Sequence, residues 1–158
     1  MRITIPTLLV LSLLVLPLLA GVQAQNPATQ TTYPITETVT NPCNGDTVTL
    51  TGEGHAVMRM EFDSTGGFHL VDVSNTMGPL QGVGFPSGAA YKSNQTVNTT
   101  ANDNGQTPQV ELTMVMSEVL ISQGPQPNFV VHMTVHFTVN SNGVPTAAVN
   151  NVKIDCTG

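Results

Sequence analysis

Phe129-Val130-Val131-His132-Met133-Thr134-Val135-His136-Phe137-Thr138-Val139 decides the fold. Phe129, Val131, Met133, Val135, Phe137 and Val139 fall on one side of an extended chain; Val130, His132, Thr134, His136 and Thr138 fall on the other. Successive side chains of a strand point to opposite faces, so this alternation describes a β-strand with one apolar and one more polar face. Asn142-Gly143 follows, a dipeptide that readily supplies the positive φ angles of a tight hairpin. Residues 146–155 then return as the last strand.

The same period runs upstream. Val110, Leu112, Met114 and Met116 share one face of a long strand over residues 109–122. Ala56, Met58, Met60 and Phe62 share one face over residues 55–63, while Val57, Arg59, Glu61 and Asp63 share the other. Ser64-Thr65-Gly66-Gly67 turns that strand into residues 68–74. Further strands are expected at 35–40, 46–52 and 89–99, with a break at Glu53-Gly54, an irregular Gly- and Pro-rich stretch at 77–88 and a loop at 101–108. No segment after residue 24 has a helical period. About eight strands joined mostly by short turns predict an all-β domain, a single antiparallel up-and-down β-barrel, with a two-sheet β-sandwich as the alternative.

The chain opens on Met1-Arg2, an apolar run over residues 7–19, and Val22-Gln23-Ala24. This is the pattern of a secretory signal peptide over residues 1–24. The run is too short for a membrane span of roughly 20 residues, and Val22 stands where a lipoprotein would need Cys. Residues 25–34 read as a flexible leader and residues 35–158 as one β domain, exported to the periplasm or beyond with no transmembrane segment remaining. The full chain carries a net charge of −6, and −7 once Arg2 leaves with the leader. Arg59, Lys92 and Lys153 are then the only cationic side chains besides histidine. Nucleic-acid binding depends on Lys and Arg neutralising phosphates, so it is disfavoured here.

Cys43 and Cys156 are the two cysteines of the chain. In an exported protein they are expected to form a disulfide. That bond requires the first and last strands of the domain to lie within bridging distance, which favours a sheet whose ends come together.

Several segments, taken in order, resemble a group of small secreted bacterial all-β proteins of unassigned function. They are Asn41-Pro42-Cys43-Asn44-Gly45, Gly66-Gly67-Phe68-His69-Leu70, Gly82-Val83-Gly84 with Tyr91, and His136 to Gly143 ahead of Cys156. The resemblance implies a secreted β domain and supplies no activity, ligand or catalytic residue.

Chemistry is less legible. His132 and His136 share a strand face but lie roughly 13 Å apart along it, too far to chelate one ion. A zinc or copper site would need His55 or His69 to meet them, with Asp72 or Glu61 completing it. The plainer reading is four histidines on a half-exposed polar face. Asn102-Asp103-Asn104-Gly105 has the oxygen-rich look of a calcium loop without the register of one. Two Asn-x-Thr sequons, at Asn94 and Asn98, matter only where glycosylation occurs. There is no G-x-S-x-G elbow, and Gly82-Val83-Gly84 lacks the third glycine and helix of a dinucleotide loop.

Met58, Met60, Met114, Met116 and Met133 all phase inward. Flexible thioethers fill irregular cores and also line adaptable pockets. The leading expectation is therefore a secreted, non-enzymatic binding or interaction protein, without a cofactor, holding a small apolar ligand against these five residues. The alternatives are a His/carboxylate metal protein or enzyme, and a structural surface protein with no pocket.

Overall fold

The computed structural model describes residues 27–105 and 109–158. The expected signal peptide and its cleavage site at Ala24 lie outside the described residues. Eight strands follow in order: β1 (Thr29–Thr40), β2 (Thr47–Phe62), β3 (Phe68–Thr76), β4 (Leu80–Phe85), β5 (Ala90–Asp103), β6 (Val110–Ser122), β7 (Asn128–Val139) and β8 (Pro145–Thr157). Every pairing is antiparallel, and the described residues contain no helix.

The count agrees with the sequence reading through two compensating differences. The strands expected at 46–52 and 55–63 are one strand, β2. Glu53-Gly54 does not break it, because glycine is there for close packing: a Cβ on Gly54 would sit 2.7 Å from Tyr33 Cζ and 2.8 Å from Ile35 Cδ1. Conversely, the stretch expected to be irregular contains β4. The leader expected at 25–34 is also partly ordered, since β1 begins at Thr29 and pairs along its whole length with β2.

β3 and β4 are two parts of one strand. From Thr51 to Gly54, β2 advances three residues, while its partner runs five, from Gln81 back to Thr76. On the other side β5 advances three, from Ser93 to Thr96, against five from Leu80 back to Asn75. Two extra residues are thus inserted at Met77-Gly78-Pro79, a bulge closed by the Met77 N–H donating to the Glu53 carbonyl at 2.7 Å. Gly78 there has φ +79°, which glycine adopts without strain. The hydrogen-bonded ring β2–β3–β5–β4 surrounds this bulge.

The path β1-β2-β3-β5-β6-β7-β8 has β1 and β8 at its ends, with no ladder joining them among the described residues. The sheet is rolled at one end only. There Val48, Leu50, Leu80, Tyr91, Leu120 and Phe129 pack together, with Ile35, Val39, Cys43 and Val131 against them. Residues from five of the seven strand positions meet in this cluster, so the sheet must curl around it. The Cys43–Cys156 disulfide, with Cα atoms 5.8 Å apart, ties the β1–β2 turn to β8. Asn41 Nδ2 donates to the Pro127 carbonyl at 2.8 Å, tying the same turn to the start of β7.

A buried carboxylate holds that end. Asp46 receives the Tyr91 hydroxyl at 2.8 Å, the Ser87 hydroxyl, the Ser87 N–H at 3.2 Å and Asn44 Nδ2 at 3.2 Å. These bonds, the Ser87 hydroxyl foremost, hold its pKa below the ordinary carboxylate range. Burial, reinforced by Asp46, pushes the Tyr91 phenol upward. Gly84 makes the cluster possible, since a Cβ there would lie 2.7 Å from both Asp46 Oδ2 and Tyr91 Cε2. The segments around Asn41, Gly82 and Tyr91 therefore meet at one structural joint.

Candidate binding face

Strand register assigns every side chain to one of two faces. The buried cluster marks the inner face, and following the pairs outward puts Met58, Met60, Met114, Met116 and Met133 on that face. They form rows across the sheet. One row runs Met58–Asp72–Thr99–Met114–Val135 and the next Ala56–Ser74–Val97–Met116–Met133–Val152. Met60, Leu70, Ala101, Leu112 and Phe137 make a third.

These rows lie beyond the filled core, where the same face opens. Leu50, Leu80 and Leu120 are fully buried, whereas Met58 is 42% exposed, Phe62 63% and Val152 50%. One continuous face is therefore a packed interior at one end and a half-uncovered apolar surface at the other. Contiguous apolar surface of this kind marks interaction sites on soluble proteins.

Carboxylates border the rows. Glu118, only 4% exposed, sits on β6 between Met116 and Leu120 and accepts the Ser93 hydroxyl at 2.8 Å. Glu37 reaches it from β1: Gln95 Nε2 donates to Glu37 Oε2 at 3.5 Å and lies 3.9 Å from Met116 Sδ. Burial pushes the Glu118 carboxyl above the ordinary glutamate range; the Ser93 hydrogen bond opposes this and the Glu37 charge adds to it.

A pH dependence follows from the sign of that shift. Folded Glu118 keeps its proton to higher pH than the unfolded chain does, so stability falls as pH rises from the ordinary glutamate range through the folded value. Asp46 acts on the opposite side, its stabilisation being lost as pH falls through its lowered value. Glu118→Gln should flatten the upper limb alone, read as the midpoint of urea unfolding from pH 4 to pH 8. Parallel curves for variant and parent would contradict this.

The histidines take the other face. His55, His69, His132 and His136 all register outward, on β2, β3 and β7, and none is the cross-strand partner of another. His69 lies opposite Glu61 and bonds to Asn102 through Nδ1, and His136 Nδ1 is 2.8 Å from Thr113 Oγ1. Among the described residues no group of three or more His, Cys, Asp or Glu is placed to hold a metal ion. Two shallow outer hollows of about 260 Å³ each are lined by Arg59, Glu61, His69 and Val71, and by Asn102, Asn104, Gln109 and Glu111. Arg59 and Glu61 form an ion pair there, as do Lys153 and Asp155 on β8 at 2.8 Å.

The alternation that phases the methionines was sufficient to find this face from the sequence. Its acidic border was passed over. Glu118 has the parity of Met116 and Leu120, and Glu37 that of Ile35 and Val39, so each stood in an apolar series and was open to notice. Comparison with known proteins finds no family model, no curated protein and no solved structure that matches the chain.

Proposed function

We propose that this is a secreted, non-enzymatic binding protein whose open inner face takes a small apolar ligand against Met58, Met60, Met114, Met116 and Met133. One observation carries the reading: the five methionines share a single face beyond the fully buried cluster, Met58 exposed and the other four partly buried. A plain core has no need to leave Met58 and Phe62 of the same face exposed. Unbranched thioethers adapt to ligands of varied shape without a rigid pocket. The disulfide and the expected signal peptide support an oxidising, extracytoplasmic setting. No helix among the described residues is long and apolar enough to cross a membrane.

The neutral apolar dye N-phenyl-1-naphthylamine provides the test. Its fluorescence should rise saturably on the disulfide-intact protein. Replacing Met116 and Met133, direct cross-strand partners, with Gln should weaken binding about tenfold, since each loses part of the roughly 1.5–3 kcal/mol of a buried apolar side chain. Unchanged binding by the double variant, with folding intact, would refute the assignment.

A further inference from the structure

The strand count leaves the rolled sheet one strand short. β3 and β4 share a position, so the path has seven positions, and every pairing along it is antiparallel. β1 and β8 therefore run in the same direction. An antiparallel roll closes only with an even number of strands, because each must oppose both neighbours. β1 and β8 cannot close it by pairing with each other, but one strand running the opposite way would pair with both. The Cys43–Cys156 disulfide holds the two edges together at the filled end, and Ile35 and Val39 of β1 pack on the same cluster as Val131 of β7. Beyond that end the edges bound a slot, with no ladder across it among the described residues. Exposure follows the slot. The exposed large apolar side chains of the inner face are Met58 and Phe62 on β2 and Val152 and Ile154 on β8, whereas those of β3, β5, β6 and β7 are buried or half-buried. Every residue of β8 except Asp155 is exposed.

We infer that the slot between β1 and β8 takes an extended, uncharged segment of a partner protein, paired antiparallel to both strands and placing apolar side chains at alternate positions on the inner face. The inference goes beyond the ligand reading above and stands without it. Backbone groups on two free edges supply the affinity, and the flanking side chains supply the selection. Those pointing inward are Tyr33 and Ile35 on β1 and Val152 and Ile154 on β8; Thr32 and Thr36 lie on the outer side. From Thr29 to Thr38 the only charged side chain is Glu37, and from Thr146 to Ile154 only Lys153, which is already paired with Asp155. Pro34 withholds at most one donor from β1. A second copy does not fit, because the slot needs a strand with both edges free. Among the described residues the free edges of a copy belong to β1 and β8, each already bonded on its other side. With the expected leader removed, only residues 25–28 precede β1, too few to fill the slot from within the chain.

The experiment titrates the disulfide-intact protein with a peptide of roughly ten residues alternating valine and threonine, capped at both ends and carrying a neutral ethylene-glycol tail for solubility. Backbone amide hydrogen exchange should slow in both β1 and β8. Calorimetry should give saturable binding that weakens at least about tenfold when either the valine or the threonine nitrogens of the peptide are methylated, because each set supplies the donors for one edge. Val152→Lys puts a charge on the inward side of β8 and should weaken binding by a similar factor. Val83→Lys, at an exposed outer position on β4, should leave it unchanged. Protection of β1 or β8 alone, or full tolerance of one methylated set, would overturn insertion in favour of addition to a single edge. An equal loss in Val83→Lys would overturn the placement in the slot. Protection of these strands that rises with protein concentration in the absence of peptide would make the occupant a second copy and overturn the assignment. Absence of peptide binding would overturn it as well, whatever dye binding at the methionine rows shows.

Discussion

Replacing Cys43 and Cys156 with serine should lower the free energy of unfolding by about 4–5 kcal/mol, the chain-entropy value for a cross-link spanning 113 residues. No other effect predicted for this chain is as large, because of where the bond sits. β1 and β8 share no ladder among the described residues, so the rolled end depends on Cys43–Cys156, the Asn41–Pro127 hydrogen bond and the buried cluster. Domains of this size commonly have total stabilities of about 5–15 kcal/mol, so the reduced protein should be marginal. Urea unfolding followed by far-UV circular dichroism, with and without reductant, measures the difference. A change below about 1 kcal/mol would mean the sheet ends are held together without the bond.

The second large effect distinguishes the two ends of the inner face. Leu120→Ala removes a side chain with no exposed surface from the centre of the cluster and should cost about 2–5 kcal/mol. Met58→Ala, on the same face but 42% exposed, should cost about 1 kcal/mol or less, since much of its surface is already in water. The pair separates a residue that builds the domain from one that folding does not require, as the proposed binding face demands. Comparable losses at both positions in the same unfolding assay would show the open end to be ordinary core.

The strands were legible wherever alternation was clean, as in β7 and in the second half of β2. The phasing of the five methionines followed directly from it. Legibility failed where glycine was involved. Gly54, Gly82 and Gly84 look like chain breakers in a sequence, yet all three lie within strands, where each leaves room for a neighbouring group. Gly82 is the clearest case, since a Cβ there would lie 2.3 Å from the Thr49 carbonyl oxygen. That reason is set by another strand and cannot be read locally. Nor can the Asp46 joint, whose partners Ser87 and Tyr91 lie 41 and 45 residues away. The first half of β1 is hidden in the sequence because Thr29 to Pro34 is polar and contains a proline. An edge strand tolerates both, needing hydrogen bonds on one side only.

The joint and the open face divide the molecule's work. Asp46, Tyr91, Leu50, Leu120 and the disulfide fix one end rigidly, and the strands extend from it to present the methionine rows. Substitutions at the joint should therefore change stability, and substitutions on the rows should change binding with little effect on folding.

Methionine methyl NMR on selectively labelled protein tests the central claim most directly, because Met77 supplies an internal control at the β3–β4 bulge, away from the rows. On titration with N-phenyl-1-naphthylamine, the methyl resonances of Met58, Met60, Met114, Met116 and Met133 should shift together and saturate at one concentration while Met77 stays in place. Five stationary resonances, or a shift confined to Met77, would contradict the assignment of the inner face as the binding site.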